Sequence, residues 1–555
     1  MDFKIKRIDH LGIIAGVMKD LDIVALTDSR LKNDKQADVT FGETLMAMIL
    51  NGLGFANRVI SLTPQFFSNK PLSLLIRPGI KKDQLNRHKI GRTLDRIASY
   101  GCETFFNEIA LKICVAEKID LRTRHNDTTT FSFEGAYDDQ DEEAEIFITH
   151  GYSKAKRPDL KQIILEMCVS KDGGVPIIMK PWSGNTADNK IFKEHVKAMH
   201  KAACESNVGR ILIADSKLYT KENINELGLS HFITRVPSTI KLGVEHVNIA
   251  LKKDSWTKCP TSKNNKEQNL KDWDKKGYKF QSFDLKHYNT KMRWIVFHSQ
   301  QAHNRAKKTL DKMVKKQEIL LKKDLFHLKA QRYSCHDDAR KAVDQTVKKY
   351  KYFFVEDVKI NKVETYQTAG RPKKTSLKQK AFYQICTKIN VNQDVFAHNL
   401  DHRSCFILAT NIPKQDLTAA NVLNEYKGQD CVEKGFAFMK APSFFAEAFY
   451  IKSVKRIQAL LVVMTLALLI YTVAQRRLRQ WLAINKKTIP NQINKQIARP
   501  TLRWAFQLLE GIDYFINFAI AGPTQKIVTG ITDLRRLILS AFGKTVMKIY
   551  DINPI

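Results

Sequence analysis

The chain runs to 555 residues, 43% of them hydrophobic, enough to bury a sizeable core in roughly three or four domains. Its 91 Lys and Arg against 57 Asp and Glu leave a formal charge of +34, which indicates a polyanionic partner: nucleic acid first, an anionic membrane surface second, with solvated basic faces as the plain alternative. Nine scattered cysteines with no Cys-x-x-Cys pair exclude a zinc ribbon or a disulfide framework, and Met1 to Arg7 lack the apolar run and small-residue site of a secretory signal, so a cytoplasmic protein is expected.

Residues 1–120 are expected to be helical and to form a DNA-binding region. An apolar face runs through Gly42 to Leu53, while Ile90 to Tyr100 and Glu103 to Glu117 repeat apolar residues every three and four positions, with no strand alternation competing. Arg77, Lys81, Lys82, Arg87, His88, Lys89 and Arg92 cluster around one of these helices, which is either a DNA-docking surface or the solvated face of a helical bundle.

Over 121–236 the texture becomes α/β. Strands are expected at Phe131 to Phe133, Ile163 to Val169, Val175 to Met179, Ile211 to Ala214 and His231 to Val236, with a helix from about Asp188 to Glu205, giving a mixed sheet with at least one buried face. Residues 237–400 are more basic and polar and read as an α+β insertion, with strands at Trp294 to Phe297, Tyr352 to Val355 and Phe382 to Ile389 and a basic helical stretch from Ala306 to Lys351. Within it, Gly370-Arg371-Pro372-Lys373-Lys374 is either a minor-groove hook or, more simply, a basic turn between strands.

The second part of the core is expected over 401–475, with a strand at Cys405 to Thr410 and one helix from Asp416 to Lys440, followed by a basic helical region over 476–555 broken at Pro490 and Pro500. Ile457 to Ala474 is an apolar run with basic flanks, close to bilayer-spanning length. Gln458, Thr465, Tyr471 and Thr472 interrupt it, which favours a buried central helix over a membrane span.

Chemistry concentrates in three acids. Read as one helix, Tyr426, Gln429, Glu433 and Lys440 fall on or near one face, so one carboxylate sits among groups able to hold a polyanion while Phe436, Phe438 and Met439 turn inward. Upstream, Asp127 follows His125-Asn126, and the apolar strand Ile211 to Ala214 runs directly into Asp215. Magnesium prefers hard oxygen ligands, and two such ions roughly 3.5–4 Å apart serve both the attacking and the leaving oxygen of a phosphoryl displacement. Asp127 is then the shared ligand, with Asp215 and Glu433 each completing one shell. Singly, an acid after a strand is more often a turn former or cap, so the joint order carries the reading. Asp138, Asp139, Asp141, Glu142 and Glu143 look like a solvated loop, and Asp188 like a helix cap.

The spacing Tyr426, Gln429, Glu433, Lys440 is similar to the signature of DDE transposases of bacterial insertion sequences, in the branch whose ribonuclease-H-like core is split by a strand-containing insertion. Segments beginning Asp127-Thr128-Thr129, Gly151-Tyr152-Ser153-Lys154, Arg157-Pro158-Asp159, Gly184-Asn185-Thr186-Ala187-Asp188, Ile213-Ala214-Asp215-Ser216-Lys217 and Val432-Glu433-Lys434-Gly435 resemble the same family, and the likeness reaches Arg499-Pro500-Thr501.

The resemblance implies an α/β ribonuclease-H-like core, a mixed sheet flanked by helices, interrupted by an α+β insertion and framed by helical N- and C-terminal regions. It implies that Asp127, Asp215 and Glu433 are the catalytic metal ligands for two Mg2+ ions, with Mn2+ as a substitute. Tyr426, Gln429 and Lys440 match the positions that hold the DNA end. Gln429 stands where the family most often has arginine, so the charge and the bidentate fork are missing. The implied partners are double-stranded DNA, as transposon ends and target, and a second copy in a homodimeric DNA complex, with no membrane and a cytoplasmic, nucleoid-associated location. Members nick the transposon end and join the freed 3′ hydroxyl to target DNA, some through a hairpin. Trp256, Trp273 and Trp294 lie in the region where such enzymes receive a flipped base, or are plain aromatics of the insertion. Competing readings are a structure-specific nuclease on the same core, a catalytically inactive DNA-binding protein, and a basic protein held to a membrane by Ile457 to Ala474.

Overall fold

The computed structural model describes residues 2–33, 36–135, 137, 140, 146–154, 156–206, 211–227, 230–259, 277–366, 378–441, 444, 451, 453–518 and 525–552. The acids Asp138, Asp139, Asp141, Glu142 and Glu143, together with Trp273 and the segment Gly370 to Lys374, lie outside them. The chain forms two compact units, Met1–Thr234 with Asn424–Ile555, and Arg235–Leu423. The sequence reading starts the second core segment at 401, whereas the inserted unit runs on to Leu423.

In the first unit the N-terminal region is helical, with helices Leu11–Asp20, Phe41–Leu53, Arg87–Tyr100 and Cys102–Ala116. Thr40 starts the second of these with a capping box: its hydroxyl accepts from the Glu43 N–H at 3.1 Å, and Glu43 accepts from the Thr40 N–H at 2.9 Å. One element departs from the all-helical expectation. Asp2–Arg7 is a strand paired antiparallel with Asp513–Phe518, which in turn pairs with Gln525–Thr529. Ile5 is 56% exposed, so pairing across the chain, rather than burial, makes this a strand.

The expected central helix spans Val454–Ile484, and 94% of its most apolar window is buried in the structure, although by length and composition it is sufficient to cross a membrane. It packs against the Phe41–Leu53, Arg87–Tyr100 and Cys102–Ala116 helices. Its basic flanks are engaged in ion pairs. Arg456 forks onto Asp95 at 2.7 and 2.8 Å, Arg476 onto Asp172 at 3.0 and 2.7 Å, and Arg477 reaches Glu117 at 2.6 Å and Asp20 at 2.8 Å. Beyond it the chain is not simply helical: a hairpin pairs Ile489–Pro490 with Gln496–Ile497, and helix Leu502–Leu508 precedes the Asp513–Phe518 strand.

The mixed sheet of this unit contains β1 (Thr123–Phe133), β2 (Lys161–Ser170), β3 (Pro176–Ser183), β4 (Ile211–Ala214) and β5 (His231–Arg235), in the order β3-β2-β1-β4-β5. β2 runs antiparallel to both β1 and β3, while β4 runs parallel to β1 and β5 parallel to β4. That order and direction is the ribonuclease-H-like arrangement. β2 is buried on both faces, as its near-continuous apolar run requires. Alternate residues divide between the faces: Ile163, Leu165, Met167 and Val169 join the main core with the Val454–Ile484 helix, and Ile164 packs with Trp182 and Ile191 of the Asp188–Ser206 helix.

The inserted unit pairs Cys405–Thr410 with Thr290–Ser299, which pairs with Tyr278–His287, itself paired with Thr257–Lys258, all antiparallel. A long hairpin joins Phe353–Tyr366 to Lys378–Val391. The basic stretch expected as helix from Ala306 to Lys351 is two helices, Gln300–Ala330 and His336–Val347. Trp294 is fully buried beside Met292, a core aromatic here.

Candidate active site

Asp127 sits in the middle of β1, not at its end, yet it stands where its neighbour stops. β1 and β4 pair Thr123 with Ile211, Arg124 with Leu212 and His125 with Ile213, and β4 ends at Ala214. Continuing that register by two residues sets Asp215 beside Asp127. Asp215 is held in a turn, its carboxylate accepting from the Lys217 N–H at 2.8 Å and its backbone oxygen from the Thr234 hydroxyl at 2.7 Å.

Glu433 arrives from above this face on helix Asp430–Met439, which packs on β1 and β2 with Val432, Phe436 and Met439 buried. The single helix expected from Asp416 to Lys440 is instead two, Ala419–Lys427 and Asp430–Met439, broken at Gly428 and Gln429. The junction lies close against β1. A Cβ on Gly428 would come within 2.8 Å of the His125 ring, so only glycine lets the chain lie on β1 there. Tyr426 therefore belongs to the preceding helix, and the four signature residues do not share one helical face.

Electrostatics tie the acids together. Burial pushes the Asp127 carboxyl up to about 6, the charges of Asp215 and Glu433 add to this, and Lys154 and the Thr128 N–H oppose it. Burial also raises Asp215, against the Lys217 N–H and the Lys154 and Lys217 ammoniums. Three hard carboxylates crowded in this way suit a divalent cation such as Mg2+ or Mn2+, whose charge would relieve the mutual repulsion. Among the described residues the three carboxylates do not all come within 4.8 Å of one another, so they do not by themselves form one closed coordination shell.

The expected DNA-contacting residues separate. Lys440, just past the helix, donates from Nζ to the Thr129 hydroxyl at 2.6 Å and lies 5.4 Å from the Phe131 ring centre, beside the acids. Burial and Lys154 push its ammonium down to about 8, with Asp127 opposing. Gln429 is turned toward the protein in this structure. It is 7% exposed, and its Nε2 donates to the Asn126 carbonyl at 3.0 Å, so its amide clamps the helix junction to β1. Tyr426 is partly buried in the Ala419–Lys427 helix.

Two lysines and an acid not expected there also frame the site. Lys154 donates to the Thr128 carbonyl at 2.8 Å and hydroxyl at 2.7 Å, and Lys217 to Asp188 at 3.0 Å. Asp188, read as a helix cap, accepts from the Thr128 hydroxyl at 2.8 Å and pairs with Lys154 at 3.6 Å. The signal was in the motifs themselves. A Cβ on Gly151 would meet the Gly184 carbonyl at 2.0 Å, so that glycine lets the Gly151 to Lys154 loop lie against the end of β3 and carry Lys154 to β1. On the opposite face, Asn126, Trp182 and His195 donate to the buried Glu166 at 2.9, 3.0 and 2.8 Å, fixing β1 from behind. Burial disfavours the His195 cation, yet Glu166 holds it up to about 10.

Of the N-terminal basic cluster, Lys81, Lys82, Arg87, His88 and Arg92 are exposed. Arg77 is paired with Glu43, and Lys89 is buried against the Phe41 ring at 4.2 Å.

Residues 3–111, the N-terminal helical region, match a family described as Domain of unknown function (DUF4277). No curated protein matches the chain. Among solved structures, a cryo-EM structure of a piggyBac transposase synaptic complex with hairpin DNA is similar with a TM-score of 0.36 and 10% identity, covering 99% of this chain and 84% of that one.

Proposed function

We propose that the protein is a DNA transposase of an insertion sequence. It binds terminal inverted repeats in double-stranded DNA and carries out metal-dependent strand cleavage and strand transfer, in the bacterial cytoplasm and as a homodimer on DNA. The observation that supports this most is the β1–β4 register, which brings Asp215 to the level of Asp127 on a ribonuclease-H-like sheet beneath the Glu433 helix. Asp127, Asp215 and Glu433 would hold two Mg2+ ions, which when bound supply activation of the attacking oxygen and stabilisation of the leaving oxygen. Lys440 and Lys154, whose ammoniums lie beside these acids, orient the scissile phosphate by charge. The exposed Lys81, Lys82, Arg87 and Arg92 engage the flanking duplex through its phosphates.

The test is a joining reaction. Purified protein, Mg2+ and duplexes ending in the inverted repeats that flank the coding region should yield nicked ends and then products covalently joined to a target plasmid. Nicking without joining would instead assign a structure-specific nuclease, and neither product would refute the proposal.

A further inference from the structure

In the inserted unit three elements bring a second set of metal-binding side chains to one point. His298 is the penultimate residue of the Thr290–Ser299 strand, His303 lies in the first turns of the Gln300–Ala330 helix, and Asp401 comes from the Gln393–Ser404 helix. One ligand atom from each lies within 4.8 Å of the other two. Donors about 2.0–2.1 Å from a shared zinc ion sit roughly 3–4 Å apart, so small side-chain rotations close this cluster into a coordination shell.

A separate observation concerns the histidine tautomer. Ser404 is fully buried, and its hydroxyl donates to the Leu400 carbonyl at 2.6 Å. Its single proton is thereby used, so the 3.2 Å contact with His303 Nδ1 is one in which Nδ1–H donates to Ser404. Nε2 of His303 is left as a bare lone pair, the form in which an imidazole binds a metal, with the other nitrogen fixed by an outer hydrogen bond. His298, 9% exposed, lies beside the Trp256 ring, at 5.9 Å between ring centres. Its cross-strand neighbour Lys279 has its ammonium 4.8 Å from the centre of that same ring, an arrangement that occupies the cation. On the other side, Cys405 stands directly across from His298.

We infer that His298, His303 and Asp401 form a site for one divalent transition-metal ion, zinc by donor type, that clips the strand and the two helices of the insertion together. Two imidazoles and a carboxylate favour zinc over magnesium, so this site and the three-acid site select different ions.

The experiment uses the full chain, stripped with chelator and titrated with Zn2+ alone in excess Mg2+, followed by calorimetry. One Zn2+ per chain is expected. His303→Ala and the shape-preserving Asp401→Asn should weaken binding by at least about 10–100-fold, and Ser404→Ala by about 10-fold through loss of the outer hydrogen bond. His398→Ala, on the same helix as Asp401 but outside the cluster, should leave it unchanged, and circular dichroism checks that each variant is folded. Equal zinc binding in the parent and both ligand variants, or a zinc site removed by Asp127→Asn and not by Asp401→Asn, would overturn the inference.

Discussion

Replacing Asp127 by Asn should abolish strand cleavage and at the same time stabilise the metal-free protein. Asp127 has its carboxyl raised from the ordinary 3.8 to about 6, first by burial and then by Asp215 and Glu433. Between those values the folded state binds more protons than the unfolded chain, so stability falls as pH rises through the window, and the full penalty is present above about pH 6. At about 1.36 kcal/mol for each pKa unit, the penalty at pH 7.5 is about 2–3 kcal/mol, and it shrinks to about 1 kcal/mol near pH 4.5. Asn keeps the size of Asp127 and the 2.7 Å bond from the Thr128 N–H while removing the charge. Urea unfolding in EDTA should therefore show Asp127→Asn as the more stable protein at pH 7.5, with the difference narrowing by pH 4.5. Mg2+ should reverse the order by stabilising only the parent through mass action. Equal stability of the two proteins in EDTA at both pH values would refute the reasoning, because the acid would then not be crowded.

Gln429→Met removes the clamp on β1 and orphans the Asn126 carbonyl at a cost of about 1–2 kcal/mol, so hydrogen exchange of the β1 amides should quicken by roughly 5–30-fold. Weaker DNA binding with unchanged β1 protection would return Gln429 to the phosphate. Gly428→Ala drives a Cβ to 2.8 Å from the His125 ring and should destabilise by about 1–3 kcal/mol, read as a lower urea midpoint; an unchanged midpoint would mean the junction yields freely. Burial and Lys154 hold the Lys440 ammonium down at about 8, so it loses its proton as pH passes 8, and the unfolded chain binds more protons from there to about 10.5. DNA affinity should therefore fall between pH 7 and 9 in the parent and stay flatter in Lys440→Met, and identical slopes would exclude Lys440 from the contact.

Much of the core was legible because strands buried on both faces announce themselves as apolar runs: β2, β4 and β5 carry Ile163 to Val169, Ile211 to Ala214 and His231 to Val236 almost residue for residue. The Val454–Ile484 helix was read as core from its polar interruptions, but the ion pairs that occupy Arg456, Arg476 and Arg477 depend on acids more than 300 residues away and have no local signature. The same holds for Asp2–Arg7, whose partner strand lies at the far end of the chain. At the site, chain order suggested the three acids, while register, which only pairing reveals, set Asp215 at the level of Asp127. The fracture at Gly428 and Gln429 has no local signature because the residues on either side have helical spacing, and the close approach that requires glycine at 428 is to a histidine on β1, about 300 residues earlier in the chain. Asp188 and Lys154 carry no distinguishing local signal of their own, since a cap and a loop lysine are what such positions usually are, and only the fold brings them to Thr128.

The central claim, that Asp127, Asp215 and Glu433 together cut DNA, is tested most directly by Mg2+-dependent nicking of a labelled duplex bearing the flanking inverted repeat. Asp127→Asn, Asp215→Asn and Glu433→Gln should each bind the duplex as the parent does and each lose the 3′-hydroxyl product. A variant of any of the three that still nicks at the parent's rate would contradict the account.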